Sequence, residues 1–171
     1  RLRDAVKGGR YHAPDALGGL APAALAHHAE ARVGMLLDSD EVVRYAAVET
    51  LGKLEAWVLA QHGAALVAML SHDDEDVRFA AVETLGLLEP EALSQHSGAV
   101  VALLDDSWHN VRLEALKTLF RLEPAALAQH AAAVVAKIED PDQGVRRLAV
   151  EVLGKLDVAA LKRHEAAVVA K

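Results

Sequence analysis

Cysteine is absent from this chain of 171 residues, and aromatic residues account for only 4% of it. The first absence excludes disulfides, thiolate metal ligands and a cysteine nucleophile, and it leaves the redox compartment open. The second leaves Ala, Val and Leu to build the interior, because apolar residues still make up 53% of the chain. Five Pro and 11 Gly are too few for a low-complexity or disordered chain.

Basic residues are also in the minority, with 18 Lys and Arg against 25 Asp and Glu and a net charge of -7. This balance argues against a DNA- or RNA-binding protein. No apolar run approaches the ~20 residues that a membrane-spanning helix needs. A Gly-rich phosphate loop, a His-Glu-x-x-His motif and a nucleophile elbow are all missing from the sequence. We therefore expect no enzymatic activity, no cofactor, no metal and no small-molecule substrate.

A period of 34 residues organises the chain. Four successive blocks of the sequence align with one another without insertion or deletion. The two central blocks are LEAWVLAQHGAALVAMLSHDDEDVRFAAVETLGL and LEPEALSQHSGAVVALLDDSWHNVRLEALKTLFR. Such a period is typical of a solenoid. It predicts a single solenoid domain over 1–171, divided into a partial unit over 1–19, four repeats over 20–53, 54–87, 88–121 and 122–155, and a half repeat over 156–171.

Each unit is predicted to contain two helices and no strand. The first begins near the Pro of LEPEAL, a residue suited to a first helical turn, and continues to the acidic turn. The second follows that turn, whose side chains can cap it, and places Val111, Ala115 and Leu119 on one face. Two short helices cannot bury both apolar faces alone, so neighbouring units must stack. The fold class is therefore all-α, a right-handed α-solenoid of about nine or ten helices.

The second-helix segments carry the most specific motif. The stretch DSDEVVRYAAVETLGKL recurs as HDDEDVRFAAVETLGLL, DDSWHNVRLEALKTLFRL and EDPDQGVRRLAVEVLGKL. An acidic turn followed by Val-Arg, small residues and Leu-Gly resembles the signature of the HEAT-repeat family, in its short variety. The Trp–Leu-Gly–Tyr pattern of the tetratricopeptide repeat, which shares the 34-residue period, is missing.

The resemblance implies a ladder of hydrogen bonds between adjacent units, made by the turn Asp and the Val-Arg Arg. By position, the Arg column is Arg44, Arg78, Arg112 and Arg146, and the Asp column is Asp38, Asp106 and Asp140. In the second unit His72 takes the Asp position, with Asp73 and Asp74 beside it. The sequence therefore leaves open which residue forms this rung of the ladder. A phosphate-binding stripe is the alternative, but paired carboxylates would occupy the guanidinium groups.

A histidine recurs at one position of the first helix. Equivalent residues on stacked helices lie ~8–10 Å apart, too far to share one metal ion. We therefore predict half-buried packing residues whose ring nitrogens can bond a neighbouring unit, with pH sensing as an alternative. The column consists of His28, His62, His96, His130 and His164.

Positions that vary between units are candidates for partner binding, because stacking does not fix their identity. The resemblance implies that second helices line the concave face, where an apolar strip rimmed by charge would mark an interface. The alternative is that the strip packs between adjacent second helices. The predicted partner-binding residues are Tyr45, Phe79, Leu113, Arg147, Glu49, Glu83 and Trp108.

The sequence thus predicts a non-catalytic protein–protein interaction scaffold that presents a preformed curved groove to a protein or peptide partner. It would be part of a longer array or of a multi-subunit complex. Three hypotheses compete with it. The resemblance extends to chromophore lyases, which would need a pigment, and to DNA glycosylases, which would need a basic concave face. The units without insertions also suit an engineered or consensus array, although substitutions such as Phe120 are irregular.

Overall fold

The computed structural model describes residues 22–156, with side chains described from residue 28 onward. The partial unit over 1–19, nearly all of the half repeat over 156–171, and His164 lie outside the described residues. Within residues 22–156 every regular element is helical, and successive units stack side by side. The predicted α-solenoid is confirmed.

Four long helices, one per unit, correspond to the predicted second helices. They begin directly after the acidic turns, and Asp40, Asp74 and Asp142 each accept a hydrogen bond from a backbone N–H of the first turn. Each long helix packs on the next along the stack. They are α2 (Glu41–Leu51), α5 (Glu75–Leu85), α8 (His109–Phe120) and α11 (Gln143–Gly154).

The remaining helices form the other layer. The first of them, α1 (Pro22–Met35), is continuous. In each of the next three units this layer consists of two short helices. In two of these units the second short helix is followed by a 3-10 turn, at Leu103–Asp105 and at Lys137–Glu139. The short helices are α3 (Ala56–Ala60), α4 (Gly63–Met69), α6 (Pro90–Ser94), α7 (Ser97–Ala102), α9 (Pro124–Ala128) and α10 (Ala131–Ala136).

The prediction of one continuous first helix is therefore wrong for three units, and residues 22–156 contain eleven α-helices instead of about nine or ten in the whole chain. The break falls at the histidine, where His62 has φ −100° and ψ 3°. Its N–H donates to the carbonyl of Leu59, three residues back. A single tightened turn of this kind hardly shifts the phase of the apolar side chains, so the sequence pattern does not reveal it.

The core runs along the whole stack between the two layers. The predicted face of α8 is buried, with Val111, Ala115 and Leu119 shielded from solvent. Full burial of a Leu or Val contributes roughly 1.5–3 kcal/mol, which two helices in isolation could not gain on both faces. Small buried residues recur where long helices meet, at Ala47, Ala81, Ala115 and Ala149. Stacking thus explains why this position is always Ala.

Candidate functional site

Arginines of the long helices join each unit to the next. Arg78 donates from Nε and Nη2 to both carboxylate oxygens of Asp106, at 2.7 and 3.0 Å. Arg112 holds Asp140 in the same way, at 2.9 and 2.8 Å. Both pairs are largely shielded from solvent. These bidentate ion pairs fix the register between neighbouring units.

The same arginines also hold the turn of their own unit, a contact that sequence reasoning missed. The Nη1 atoms of Arg44, Arg112 and Arg146 donate to the carbonyls of Asp38, Asp106 and Asp140, six residues earlier, at 2.8 to 2.9 Å. Arg78 does the same to His72 at 2.8 Å. The guanidinium groups of Arg44, Arg78 and Arg112 are therefore occupied on two sides, which leaves them little capacity for an external phosphate.

In the second unit, two residues together accept the hydrogen bonds that the turn aspartate accepts in the other units. In the other units the turn Asp also accepts a bond from the N–H two residues on, as in Asp106 Oδ1 with Trp108 N at 2.8 Å. Here His72 Nδ1 accepts that bond from Asp74 N, at 3.0 Å. The bond from the previous unit goes to Asp76, which receives Arg44 Nη2 at 2.7 Å. The rung left open by the sequence thus passes through Asp76.

The pKa values of the ladder aspartates agree with their ion pairs to arginine. Burial alone raises the pKa of Asp140, but the hydrogen bonds from Arg112 and from the N–H of Asp142 outweigh it and leave the pKa below its usual range. The same opposition, with Arg78 and Trp108 as donors, lowers the pKa of Asp106. These carboxylates are held ionised.

The histidine column packs between units at the break of the first helix. His130 Nε2 lies 2.9 Å from Ser97 Oγ of the preceding unit. The His96 ring occupies the space where a Cβ on Gly63 would lie. His62 Nε2 is buried without a hydrogen-bond partner. Three of these rings are half-buried as predicted, whereas His28 is exposed.

A pocket of about 110 Å³ opens between α2 and α5. It brings together four of the predicted partner-binding residues and adds carboxylates that sequence reasoning missed. The described residues around it are Glu41, Arg44, Tyr45, Val48, Asp76, Phe79, Ala80, Glu83 and Trp108. The signal for Asp76 was present in the sequence, because an acidic residue occurs at this position only in the unit whose turn Asp is replaced by His72.

The aromatic side chains of the pocket differ in exposure. Tyr45 is 67% exposed. Phe79 is half-buried against the core and meets Trp108 of the next unit edge to face, with ring centroids 5.9 Å apart. Both readings of the variable strip therefore apply, since Phe79 packs between units and Tyr45 faces solvent.

Three other predicted residues lie outside the pocket. Leu113 is half-buried and packs on the next unit, 3.5 Å from where a Cβ on Gly144 would be. Glu49 pairs with Lys53 on its own helix, at 3.0 Å. Arg147 is exposed on α11, two units away. The predicted strip is therefore not one continuous surface.

Glu83 is a half-buried carboxylate of the pocket. Its burial, and then the neighbouring charge of Glu114, raise its pKa, while Lys117 lowers it by a smaller amount. Lys117 itself bonds Glu114 at 2.8 Å. Glu83 thus forms no ion pair of its own among the described residues.

Comparisons with known proteins agree with this architecture. A family model described as HEAT repeats matches residues 29–119, more than half of the chain. The chain belongs to the HEAT-repeat family. No curated protein matches the sequence.

Several solved structures share the fold. One engineered protein has a TM-score of 0.65 at 19% identity, with 82% of this chain and 68% of that chain covered. A designed armadillo repeat protein in complex with peptide (KR)4 has a TM-score of 0.63 at 20% identity, with 93% and 85% covered. At these identities the likeness shows the fold alone, so the hypothesis of an engineered array stays a prediction.

Within residues 22–156 the chain has neither a helix suited to a membrane nor a cluster suited to a metal ion. None of the helices in this part of the chain combines the length and the apolar character needed to span a bilayer. In the same part, His, Asp and Glu side chains nowhere converge in a group of three that could hold a metal ion.

Proposed function

We propose that this protein is a non-catalytic scaffold that binds a protein or peptide segment on the face of its long helices. The pocket between α2 and α5 is the observation that carries the proposal. It combines an exposed tyrosine, a half-buried tryptophan and several carboxylates in one concavity. Aromatic anchors beside polar groups are the usual composition of an interaction hot spot.

The rigidity of the stack supports the same function. Bidentate rungs such as Arg112–Asp140 and the continuous core hold the long helices in place before a partner arrives. A preformed surface loses little conformational freedom on binding, which favours affinity. A designed armadillo repeat protein of similar fold was solved with a bound peptide, so a solenoid of this kind can hold a peptide.

A selection from a random peptide display library tests this function. The immobilised chain should enrich peptides that bind it, and the Tyr45→Ala variant should bind them at least about fivefold more weakly, because an exposed aromatic anchor is lost. Trp57→Ala is the matched control, since Trp57 is 47% exposed and lies outside the pocket.

The two variants should retain the wild-type circular dichroism and thermal midpoint, because both side chains are exposed. A library that yields no enriched peptide contradicts the proposal. So does a set of peptides that binds wild type and Tyr45→Ala equally well.

A further inference from the structure

Resting on the scaffold function, we propose that the pocket between α2 and α5 binds the guanidinium group of an arginine side chain in an extended partner. The charge of the pocket points to a cation. Of its charged residues, Arg44 and Asp76 neutralise each other through a bond of 2.7 Å. Glu41 and Glu83 remain, and neither has an ion pair within residues 28–156. The pocket therefore carries a net negative charge that a bound cation would balance.

Glu83 gives the cation a specific place. It is half-buried, its pKa is raised first by burial and then by Glu114, and the nearby Lys117 is engaged by Glu114. A carboxylate in this position is poorly solvated and has a like charge beside it. An entering cation would replace the missing solvation and offset that repulsion, so its interaction with Glu83 would be stronger than with an exposed carboxylate.

The aromatic rings favour a planar cation. Tyr45, Phe79 and Trp108 all line the pocket beside the carboxylates. Aromatic faces attract cations, and guanidinium stacks on them while it forms two parallel bonds to a carboxylate. An ammonium group is a compact, strongly hydrated point charge and gains less from this combination. The pairing of rings with Glu83 therefore selects arginine.

The adjacent surface does not repel a basic chain. On α2, Glu41 lies at the pocket, and the charge of Glu49, two turns further along the same helix, is balanced by its ion pair with Lys53. The single cation of the pocket, Arg44, has 6% of its side chain exposed and is bonded to Asp76 and to the carbonyl of Asp38. It is thus shielded from a ligand by its own partners.

Fluorescence anisotropy with three labelled eight-residue peptides tests the inference. The first alternates Arg and Ser, the second replaces each Arg with citrulline, which has the same shape and no charge, and the third alternates Glu and Ser. We expect the Arg peptide to bind at least about tenfold more tightly than the citrulline peptide, because charged hydrogen bonds are roughly twice as strong as neutral ones. The Glu peptide should not bind.

Two variants that each remove one negative charge distinguish binding in the pocket from attraction by the net charge of the protein. Glu83→Gln should weaken the Arg peptide about fivefold or more, whereas Glu123→Gln, which removes an exposed carboxylate outside the pocket, should change it less than about twofold. Tyr45→Ala, whose side chain is largely exposed, provides a second variant that should fold normally.

The outcomes distinguish this inference from the scaffold function. Equal binding of the Arg and citrulline peptides, lost in Tyr45→Ala, would overturn the guanidinium site and leave the scaffold standing. Equal weakening by Glu83→Gln and Glu123→Gln would overturn it as well, since binding would then follow net charge alone. If none of the three peptides binds and the display library yields nothing, both proposals fail.

Discussion

The two kinds of rung between units should differ sharply in their contribution to stability. Arg112 and Asp140 form two bonds, of 2.8 and 2.9 Å, and their side chains are 10% and 3% exposed. Arg44 and Asp76 share one bond of 2.7 Å, and the Asp76 side chain is 45% exposed. Both guanidinium groups are buried, but the second pair is open to water on the Asp76 side, whereas both partners of the first are shielded.

Asp140→Asn and Asp76→Asn measure this difference with little change in shape. Asn at either position keeps one oxygen acceptor, so the local turn at 140 can persist. We expect a loss of about 3 kcal/mol in the free energy of unfolding for Asp140→Asn, the lower end for a broken buried pair. For Asp76→Asn we expect about 1 kcal/mol or less. In a chain of this size, the thermal midpoint should fall by about 6–12 °C for Asp140→Asn and by at most about 4 °C for Asp76→Asn.

Urea unfolding followed by circular dichroism at neutral pH gives both values. The acid dependence provides a second test. The pKa of Asp140 in the folded chain is lower than the ordinary aspartate value of 3.8, so its contribution to stability is present above that value and is lost as pH falls through the folded pKa. The deficit of Asp140→Asn should therefore shrink on acidification. A loss for Asp140→Asn within about 1 kcal/mol of that for Asp76→Asn would show that the two ion pairs do not differ in their contribution to stability as their burial predicts.

Three other substitutions test the packing of the stack. Gly63→Ala alone should destabilise the protein, because its Cβ would overlap the His96 ring, but it should be tolerated together with His96→Ala. Additive effects in a double-mutant cycle would contradict this contact. Arg32→Leu should raise the thermal midpoint, because burial lowers the pKa of Arg32 and so disfavours its charged form; a lower midpoint would refute it. Phe79→Ala should cost about 2 kcal/mol or more in urea unfolding and Tyr45→Ala under about 0.5 kcal/mol; equal losses would contradict their different burial.

The fold was predictable because stacking imposes the same requirement on every unit. Ala81 and Ala115 are small where long helices meet, and Leu116 faces the core. The 34-residue period and the Val-Arg motif record these requirements directly. The break of the first helix was not predictable, because it is confined to a single residue: His96 has φ −110° and ψ 0°, while Gln95 stays helical and the apolar spacing continues across both.

The candidate site was predictable only in part, for a related reason. Identity at a variable position does not tell whether a side chain meets the next unit or the solvent. Phe79 is covered because the next unit has Trp108 in its turn, while Tyr45 is 67% exposed. Asp76 was missed because the ladder was expected to keep a constant spacing, whereas the bond from Arg44 moved one helical turn when His72 replaced the turn Asp.

The fluorescence of Trp108 reports directly on whether a partner binds in the pocket between α2 and α5. The chain has two tryptophans, so Trp57→Phe leaves Trp108 as the single reporter inside the pocket. Titration of this variant with the Arg-Ser peptide should change the Trp108 emission saturably, with the dissociation constant found by anisotropy. Unchanged emission at peptide concentrations that saturate the anisotropy signal would place the binding site elsewhere and contradict the account.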